Sequence, residues 1–248
     1  MTEPTFAEIL EACTESCRRM DAPLDRRLAR FADDVRRLDA GFAGIVDRMV
    51  ARLSASEAGA TAPAVGEPMP PFLLPDENGH LVSLDELLDT GPVVIAFHRG
   101  HWCPYCRLNA DALARIEPDV AAAGGRIVAI TPEIQRYTRE LKADAKASFP
   151  ILTDLDSGFA LLLNLAIRID DEKKAAMIRS GWDISEFQAN AHWILPIPAT
   201  FVVGKDGIVA ARFVDPDYRK RMDVDELLAA LDRGTVRERP TRVEVRAP

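Results

Sequence analysis

One stretch of the sequence decides the fold: Val93-Val94-Ile95-Ala96-Phe97-His98-Arg99-Gly100-His101-Trp102-Cys103-Pro104-Tyr105-Cys106. The first five residues are all apolar, which is typical of a strand buried on both faces of a parallel sheet. After Cys106 the apolar residues follow helical spacing until Gly124-Gly125. The stretch therefore predicts a buried strand, a short turn and a helix that begins at the cysteine pair.

Cys103 falls at the N-terminus of this predicted helix, where free N–H groups and the helix dipole favour an anion. The thiolate is the nucleophilic form of cysteine, so this position lowers the expected pKa of Cys103 and raises its reactivity. Arg99 is the predicted electrostatic partner because its guanidinium is always charged. Trp102 adjoins the thiol, and Cys106 lies on the same face of the first helical turn. We expect Cys103 and Cys106 to be the catalytic pair, supported by Arg99 and Trp102.

A CxxC pair between a strand and a helix indicates redox chemistry, and two reactions fit it. If the substrate is a peroxide, Cys103 becomes a sulfenic acid and Cys106 condenses with it to form a disulfide. If the substrate is a disulfide, a mixed disulfide forms and Cys106 resolves it. A zinc site that combines this pair with Cys13 and Cys17 is a further alternative, although no metal or cofactor is expected.

The segments around this stretch predict an α/β domain with a mixed sheet. Asn78-Gly79 separates two short apolar runs and predicts a hairpin. The strand and helix patterns alternate as β-α-β-α and end as β-β-α, which places helices on both faces of one sheet. The further predicted strands are Ile127–Ile130, Ile151–Leu152, Thr200–Val203 and Ile208–Val214.

The N-terminal part predicts helices with a sustained heptad pattern. From Leu24 to Met49 the apolar residues alternate spacings of four and three. This seam has two interpretations, namely packing on the chain's own domain or a homodimer through the N-terminal helices. We divide the chain into a helical extension (1–57), a linker rich in Pro and Gly (58–71), a compact domain (72–232) and a basic C-terminal tail (233–248).

Composition excludes several functional classes. The chain has 248 residues and a formal net charge of -8, which argues against nucleic-acid binding because phosphates would be repelled. No apolar run is long enough to span a membrane, and the acidic start has no secretory pattern. Four cysteines are too few for a disulfide scaffold. We therefore expect a cytoplasmic protein without a membrane or nucleic-acid partner.

Three further positions have open interpretations. Cys13 and Cys17 share the apolar face of a helix, so structural burial is favoured over a thiol reserve, a resolving role or metal binding. Pro198 precedes a predicted strand, and a cis Ile197-Pro198 bond beside the site is favoured over a trans bond, with Thr200 as a supporting residue. His192-Trp193 either covers the site or belongs to the core and surface.

The chain from about Val65 to Leu231 resembles the AhpC/TSA peroxiredoxin-like family of the thioredoxin superfamily, in particular the branch with a CPYC pair. The segments that carry the resemblance are 65–72, 97–106, 149–154, 195–203 and 215–218. The resemblance implies a thioredoxin-like fold with an N-terminal helical extension. It also implies a thiol-dependent peroxidase with Cys103 as the peroxidatic cysteine, Pro198 as the active-site proline, and thioredoxin or a glutaredoxin-like reductant as partner.

The sequence departs from the family pattern at the cysteine. Typical peroxiredoxins carry PxxxTxxC, whereas this chain has Ala96 and Gly100 at the proline and hydroxyl positions. They also place an arginine near the later strand, where this chain reads Pro198-Ala199-Thr200. The WCPYC string is more similar to glutaredoxin and thioredoxin sites.

Three functions are therefore compared. The favoured one is a peroxidase that reduces hydrogen peroxide or organic hydroperoxides, which requires a small polar pocket over Cys103 with Arg99 or Arg212 nearby. A thiol-disulfide oxidoreductase instead requires an exposed groove beside Pro198. A non-catalytic redox sensor or interaction module would couple oxidation to a change in oligomer size.

Overall fold

The computed structural model describes residues 6–235, which form ten α-helices, one short 3-10 helix (Leu155–Ser157) and nine strands. The helices are α1 (Phe6–Arg18), α2 (Leu24–Leu38), α3 (Ala40–Ala55), α4 (Leu84–Thr90), α5 (Pro104–Ala122), α6 (Gln135–Ala145), α7 (Gly158–Leu162), α8 (Asp171–Arg179), α9 (Ile184–Gln188) and α10 (Val224–Thr235). The strands are β1 (Leu73–Pro75), β2 (Leu81–Ser83), β3 (Val93–Phe97), β4 (Arg126–Thr131), β5 (Ile151–Thr153), β6 (Ala166–Arg168), β7 (Ile194–Pro196), β8 (Ala199–Val203) and β9 (Val209–Val214).

Five strands form a central mixed sheet in the order β5-β4-β3-β8-β9. Strands β3, β4 and β5 are parallel, whereas β8 pairs antiparallel to β3 and β9 pairs antiparallel to β8. Every residue of the central strand β3 is buried, because helices cover both faces of the sheet. This arrangement confirms the predicted α/β fold. It places the start of α5 at the carboxyl end of the central strand β3.

The predicted hairpin is present, but the segment between α7 and β8 contains more structure than the sequence indicated. Strands β1 and β2 pair around the Asn78-Gly79 turn, where Gly79 has a φ of +88°. Between residues 166 and 196 the chain forms β6, α8, α9 and β7, none of which was predicted. Strands β6 and β7 have three residues each, which is too short for an alternating pattern to stand out.

The N-terminal seam is divided between two helices and faces the chain's own domain. Helix α2 ends at Leu38, and Asp39 starts α3 by accepting a hydrogen bond from the Phe42 N–H at 2.8 Å. Phe31, Phe42 and Met49 are buried in a cluster that also contains residues of α5 and α8. Packing on the chain's own domain thus accounts for the heptad pattern, and the homodimer stays a prediction.

Ion pairs connect the N-terminal helices to α5. Arg27 of α2 donates to Asp111 of α5 at 2.8 Å. Arg107 of α5 binds Glu11 of α1 at 2.5 Å and Asp144 of α6 at 2.8 Å. Breaking a buried pair such as Arg27–Asp111 costs roughly 3–5 kcal/mol, so this contact holds α2 firmly against the helix that begins at the cysteine pair. The Glu11 carboxylate is about half exposed, so its pair contributes less to the position of α1.

Three remaining expectations concern the peptide bond, the tail and membranes. The prediction of a cis Ile197-Pro198 bond was wrong, since this bond is trans. The Ile197 N–H donates a hydrogen bond to the Leu165 carbonyl. Helix α10 extends to Thr235, and residues 236–248 of the predicted basic tail lie outside the described residues. In residues 6–235 no helix is long and apolar enough to cross a membrane.

Candidate active site

Cys103 lies at the point where the chain turns from β3 into α5. It is the N-cap residue of α5, and Pro104 occupies the first helical position, where its missing N–H costs nothing. The side chain is only 1% exposed, and Cys106 is fully buried. Both thiols are reduced in the structure. The reactive position is therefore a helix N-terminus that is shielded from bulk water.

The departure from the hydroxyl pattern at Gly100 has a structural reason. Gly100 has a φ of +137°, and a Cβ at this position would lie 2.5 Å from the carboxyl carbon of Glu133. Glu133 is fully buried and accepts a hydrogen bond from the His101 N–H at 2.7 Å. Burial raises the pKa of Glu133 well above its usual range. The carboxyl group of Glu133 thus fills the space that a side chain at position 100 would need.

The surroundings of Cys103 favour its thiolate. Burial by itself raises the pKa of Cys103, but a hydrogen bond from the Cys106 thiol and the charges of Arg99 and Arg221 lower it, with a result of about 6. The Cys106 N–H contributes as well. At pH 7 the thiolate therefore predominates, and the predicted reactive cysteine has the charge state that nucleophilic attack requires.

Cys106 has the opposite character. Its sulfur accepts the Arg99 backbone N–H at 3.2 Å and the Arg221 guanidinium at 3.3 Å. Burial, the hydrogen bond to Cys103 and the Cys103 charge raise the pKa of Cys106 well above its usual range. Because two adjacent thiols cannot both ionise cheaply, the pair divides into a thiolate at Cys103 and a neutral thiol at Cys106.

The Arg99 side chain is held between aromatic rings. Its guanidinium carbon lies 3.9 Å from the ring centre of Tyr218 and 4.9 Å from that of Trp102. Arg99 is buried, and its Nη2 has no hydrogen-bond partner among the described residues. A buried guanidinium with an unused donor beside a thiolate is suited to bind an incoming oxygen.

A narrow cavity of about 40 Å³ lies over Cys103. A water molecule needs roughly 10–15 Å³, so the cavity has room for a molecule the size of hydrogen peroxide. Arg99 lines it, as predicted, whereas Arg212 instead donates to the Ala62 and Pro63 carbonyls. The lining is largely apolar rather than polar, and the aromatic residues in it are Phe31, Phe42, Trp102, Tyr105, Trp182 and Tyr218.

The family model described as the AhpC/TSA family matches residues 65–212, which include β3, both cysteines of the site and most of β9. The chain belongs to the AhpC/TSA family. It is accordingly a peroxiredoxin-like thiol peroxidase or oxidoreductase. Helices α1 to α3 lie outside the matched residues, and α2 and α3 contribute to the wall of the cavity.

Relatives of this AhpC/TSA chain are distant. It is 23% identical over 175 residues to the 1-Cys peroxiredoxin PER1 of Hordeum vulgare, with 68% of this chain and 71% of the relative covered. Peroxidoxin BcpB from Mycobacterium tuberculosis has a similar fold, with a TM-score of 0.54, 21% identity and coverage of 68% and 96%. A yeast mitochondrial 1-Cys peroxiredoxin, studied for thiol resolution through glutathione and thioredoxin systems, has a TM-score of 0.52 and 16% identity, with coverage of 68% and 75%.

Other predicted site residues are absent from the cavity lining. Pro198 is buried just before β8, and Thr200 is buried within β8, where it pairs with Ala96 of β3. Neither residue lines the cavity. His192 is exposed, while Trp193 is buried in the core. The roles of Pro198 and Thr200 in this AhpC/TSA protein stay predictions.

The structure also brings in residues that sequence reasoning missed. Arg221 donates to the Cys106 sulfur. It lies three residues after the Asp215–Tyr218 segment that carried part of the resemblance, and this proximity in sequence is the signal that could have identified it. Lys173 of α8 lines the cavity, although it belongs to a run of charged residues that normally indicates a solvated helix face. Within residues 6–235 no group of three His, Cys, Asp or Glu side chains is arranged to hold a metal ion.

Proposed function

We propose that this protein is a thiol peroxidase that reduces hydrogen peroxide or small organic hydroperoxides through a Cys103 sulfenic acid and a Cys103–Cys106 disulfide. The observation that carries the proposal is the cavity over Cys103, because it combines a thiolate, an unused Arg99 donor and a volume suited to a small substrate. Arg99 would hold the peroxide oxygens within reach of the Cys103 sulfur and stabilise the charge that develops on them.

The proposed reaction has two chemical steps. The Cys103 thiolate attacks the terminal peroxide oxygen, the O–O bond breaks, and the second oxygen leaves with the electron pair and takes up a proton. The resulting sulfenic acid then condenses with the Cys106 thiol, which forms the S–S bond and releases water. Cys106 is suited to this role because its sulfur already hydrogen-bonds to Cys103.

A thiol donor such as thioredoxin or a glutaredoxin-like protein would reduce the disulfide in this proposal. The thiol systems studied with the yeast relative belong to this class of donor. Both sulfurs are buried beneath α2 and α3, so a protein donor requires part of this cover to move before thiol exchange can occur. We retain the cytoplasm as the expected compartment, where such donors keep thiols reduced.

The alternative functions have less support from the geometry. A thiol-disulfide oxidoreductase presents its reactive sulfur to another protein chain, whereas Cys103 is 1% exposed at the wall of a cavity. A redox sensor that acts through the N-terminal helices would change oligomer size on oxidation, and this outcome can be measured in the same samples.

Stopped-flow fluorescence tests the proposal, since Trp102 adjoins the reactive thiol. Reduced protein mixed with hydrogen peroxide should show rapid stoichiometric oxidation, and peptide mass spectrometry should find the Cys103–Cys106 disulfide. Cys103→Ser should abolish the fast phase, because the attacking sulfur is gone, and Cys13→Ser serves as the matched control. Oxidation of the wild type no faster than that of a free thiol would reject the peroxidase and favour disulfide exchange.

A further inference from the structure

Lys173 is a buried lysine without a hydrogen-bond partner. It is 1% exposed, and its Nζ has no partner among the described residues. The nearest contact is the face of the Phe42 ring, whose centre lies 3.5 Å from Nζ. A buried ammonium normally requires a paired charge or several acceptors, and a ring face supplies only part of this. The position of Lys173 is therefore not explained by the packing of the fold.

The Lys173 side chain lines the same cavity as the Cys103 sulfur. Its Nζ lies 6.0 Å from the centre of the Tyr218 ring. The guanidinium carbon of Arg99 lies 3.9 Å from the centre of the same ring. Asp170 caps α8 by accepting a hydrogen bond from the Lys173 N–H at 2.8 Å, which fixes the start of the helix that carries this lysine. The cavity is thus lined by Cys103 and by two basic side chains, each with a nitrogen that has no hydrogen-bond partner among the described residues: Arg99 Nη2 and Lys173 Nζ.

We propose that Lys173 is the proton donor to the oxygen that leaves when Cys103 attacks a peroxide, an inference that rests on the proposed peroxidase function. In this step the thiolate forms the S–O bond, the O–O bond breaks, and the departing oxygen takes both bonding electrons and one proton from the Lys173 ammonium. The products are the sulfenic acid, water or an alcohol, and the neutral amine. Solvent returns the proton afterwards.

The charges around Lys173 favour this transfer at the moment of reaction. Burial and then the Arg99 charge lower the pKa of Lys173, the Cys103 thiolate raises it, and the net result is about 6. When the thiolate becomes a neutral sulfenic acid, its stabilising charge is lost and the ammonium becomes a stronger acid. The charged groups that act on Lys173 come from the site loop, the start of α5, the cap of α8 and the loop before α10: Arg99, Cys103, Asp170 and Arg219.

Leaving-group chemistry provides the test. Hydrogen peroxide expels hydroxide, a strongly basic leaving group, so protonation matters greatly. Peracetic acid expels a carboxylate, whose conjugate acid has a pKa of about 4, so no proton donor is needed. Lys173→Met should slow oxidation by hydrogen peroxide about 100-fold, in the range typical of general acid catalysis, and slow oxidation by peracetic acid less than about threefold.

Three controls separate proton transfer from other effects. Lys174→Met changes the neighbouring lysine, which lies over the Trp193 ring outside the cavity, and should leave both rates unchanged. Alkylation of Cys103 by iodoacetamide needs no proton and should be similar in Lys173→Met and the wild type. Lys173→Arg keeps a positive charge that does not dissociate and should restore little of the hydrogen peroxide rate.

The outcomes are distinct. Equal losses with both oxidants, or full activity in Lys173→Arg, would overturn proton donation and leave the peroxidase proposal intact. A slow wild-type reaction with both oxidants would overturn the peroxidase and this inference together. The wild-type rate with hydrogen peroxide should also decline as the pH rises above about 6, where Lys173 loses its proton, and Lys173→Met should lack this decline.

Discussion

The two cysteine pairs show how the same residue type takes opposite properties in one chain. Cys103 is the N-cap of α5, whereas Cys17 is next to the last residue of α1. The pKa of Cys103 is about 6, while burial, and then the Asp34 charge, raise the pKa of Cys17 to about 11. Both side chains are almost fully buried, so exposure does not explain the difference.

The difference follows from what surrounds each sulfur. At the start of a helix the free N–H groups and the positive end of the dipole stabilise an anion. At the end of a helix the free carbonyl groups and the negative end of the dipole destabilise one. The charges of Arg99 and Arg221 also lower the pKa of Cys103, while the charge of Asp34 raises the pKa of Cys17. Reactivity is therefore a property of position and charge, and a search for cysteine pairs by spacing alone would not separate these two.

The largest expected effect is selective alkylation. At pH 7, about nine tenths of Cys103 and about one ten-thousandth of Cys17 are thiolate, from pKa values of about 6 and about 11. Low-pKa thiolates are weaker nucleophiles, which reduces the difference but does not remove it. Limited iodoacetamide treatment followed by peptide mass spectrometry should label Cys103 at least about 100-fold faster. Equal labelling would contradict the assigned thiolate.

The next effect concerns Cys106, for which two substitutions form a matched pair. Cys106→Ser and Cys106→Ala both prevent the disulfide, so a sulfenic acid should accumulate at Cys103 after one equivalent of peroxide and react with dimedone. Serine can still donate a hydrogen bond to the Cys103 thiolate, but alanine cannot. Cys106→Ala should therefore raise the pKa of Cys103 by about one to two units, since a hydrogen bond to a charged group is worth roughly 1.5–3 kcal/mol.

The direction of the change in the Cys103 pKa can be measured by the pH dependence of alkylation. A higher pKa means that the thiolate forms only at higher pH, so the alkylation curve of Cys106→Ala should move to higher pH than that of Cys106→Ser. Coincident curves would show that the hydrogen bond from Cys106 does not stabilise the thiolate. Normal turnover of Cys106→Ser with thioredoxin would instead place the resolving thiol elsewhere, with Cys13 and Cys17 as the next candidates.

A smaller effect is expected for Arg99→Met. Loss of this charge should raise the pKa of Cys103 by about one unit, because opposite charges nearby shift a pKa by roughly 1–3 units. The peroxide reaction at pH 7 should slow by about tenfold or more, since the substrate also loses a donor. Arg212→Met is the control, because Arg212 binds backbone carbonyls of the linker segment. Similar losses in both variants would indicate a general effect on the fold.

The sequence predicted β3 and α5 well because their signals are local. Five apolar residues lead directly into the cysteine pair, and the paired glycines end the helix. The same local reasoning gave Arg99, which lies four residues before Cys103. Features that depend only on neighbouring residues could therefore be predicted.

Lys173 could not be predicted because its burial depends on distant parts of the chain. Its ring partner Phe42 belongs to α3, and Tyr218 belongs to the loop before α10. In sequence, Asp171-Glu172-Lys173-Lys174 is a charged run of the kind that usually faces solvent. The proline prediction failed for a related reason, since Ile197-Pro198 connects two strands with distant partners, β7 paired with β6 and β8 paired with β3, and the trans bond is not indicated by the dipeptide itself.

The smallest expected effect on the reaction comes from the pair on α1. Cys17→Ser places a hydroxyl where the thiol is fully buried, so the free energy of unfolding should fall by about 1–3 kcal/mol, measured by urea denaturation. Cys13 is only half-buried, so Cys13→Ser should change stability by less than about 0.5 kcal/mol. Neither substitution should alter the rate of Cys103 oxidation, because the α1 thiols are absent from the cavity lining. A slower recycling step in Cys17→Ser alone would instead give this buried thiol a chemical role, and the contrast between the two pairs would no longer be one of reactive against structural.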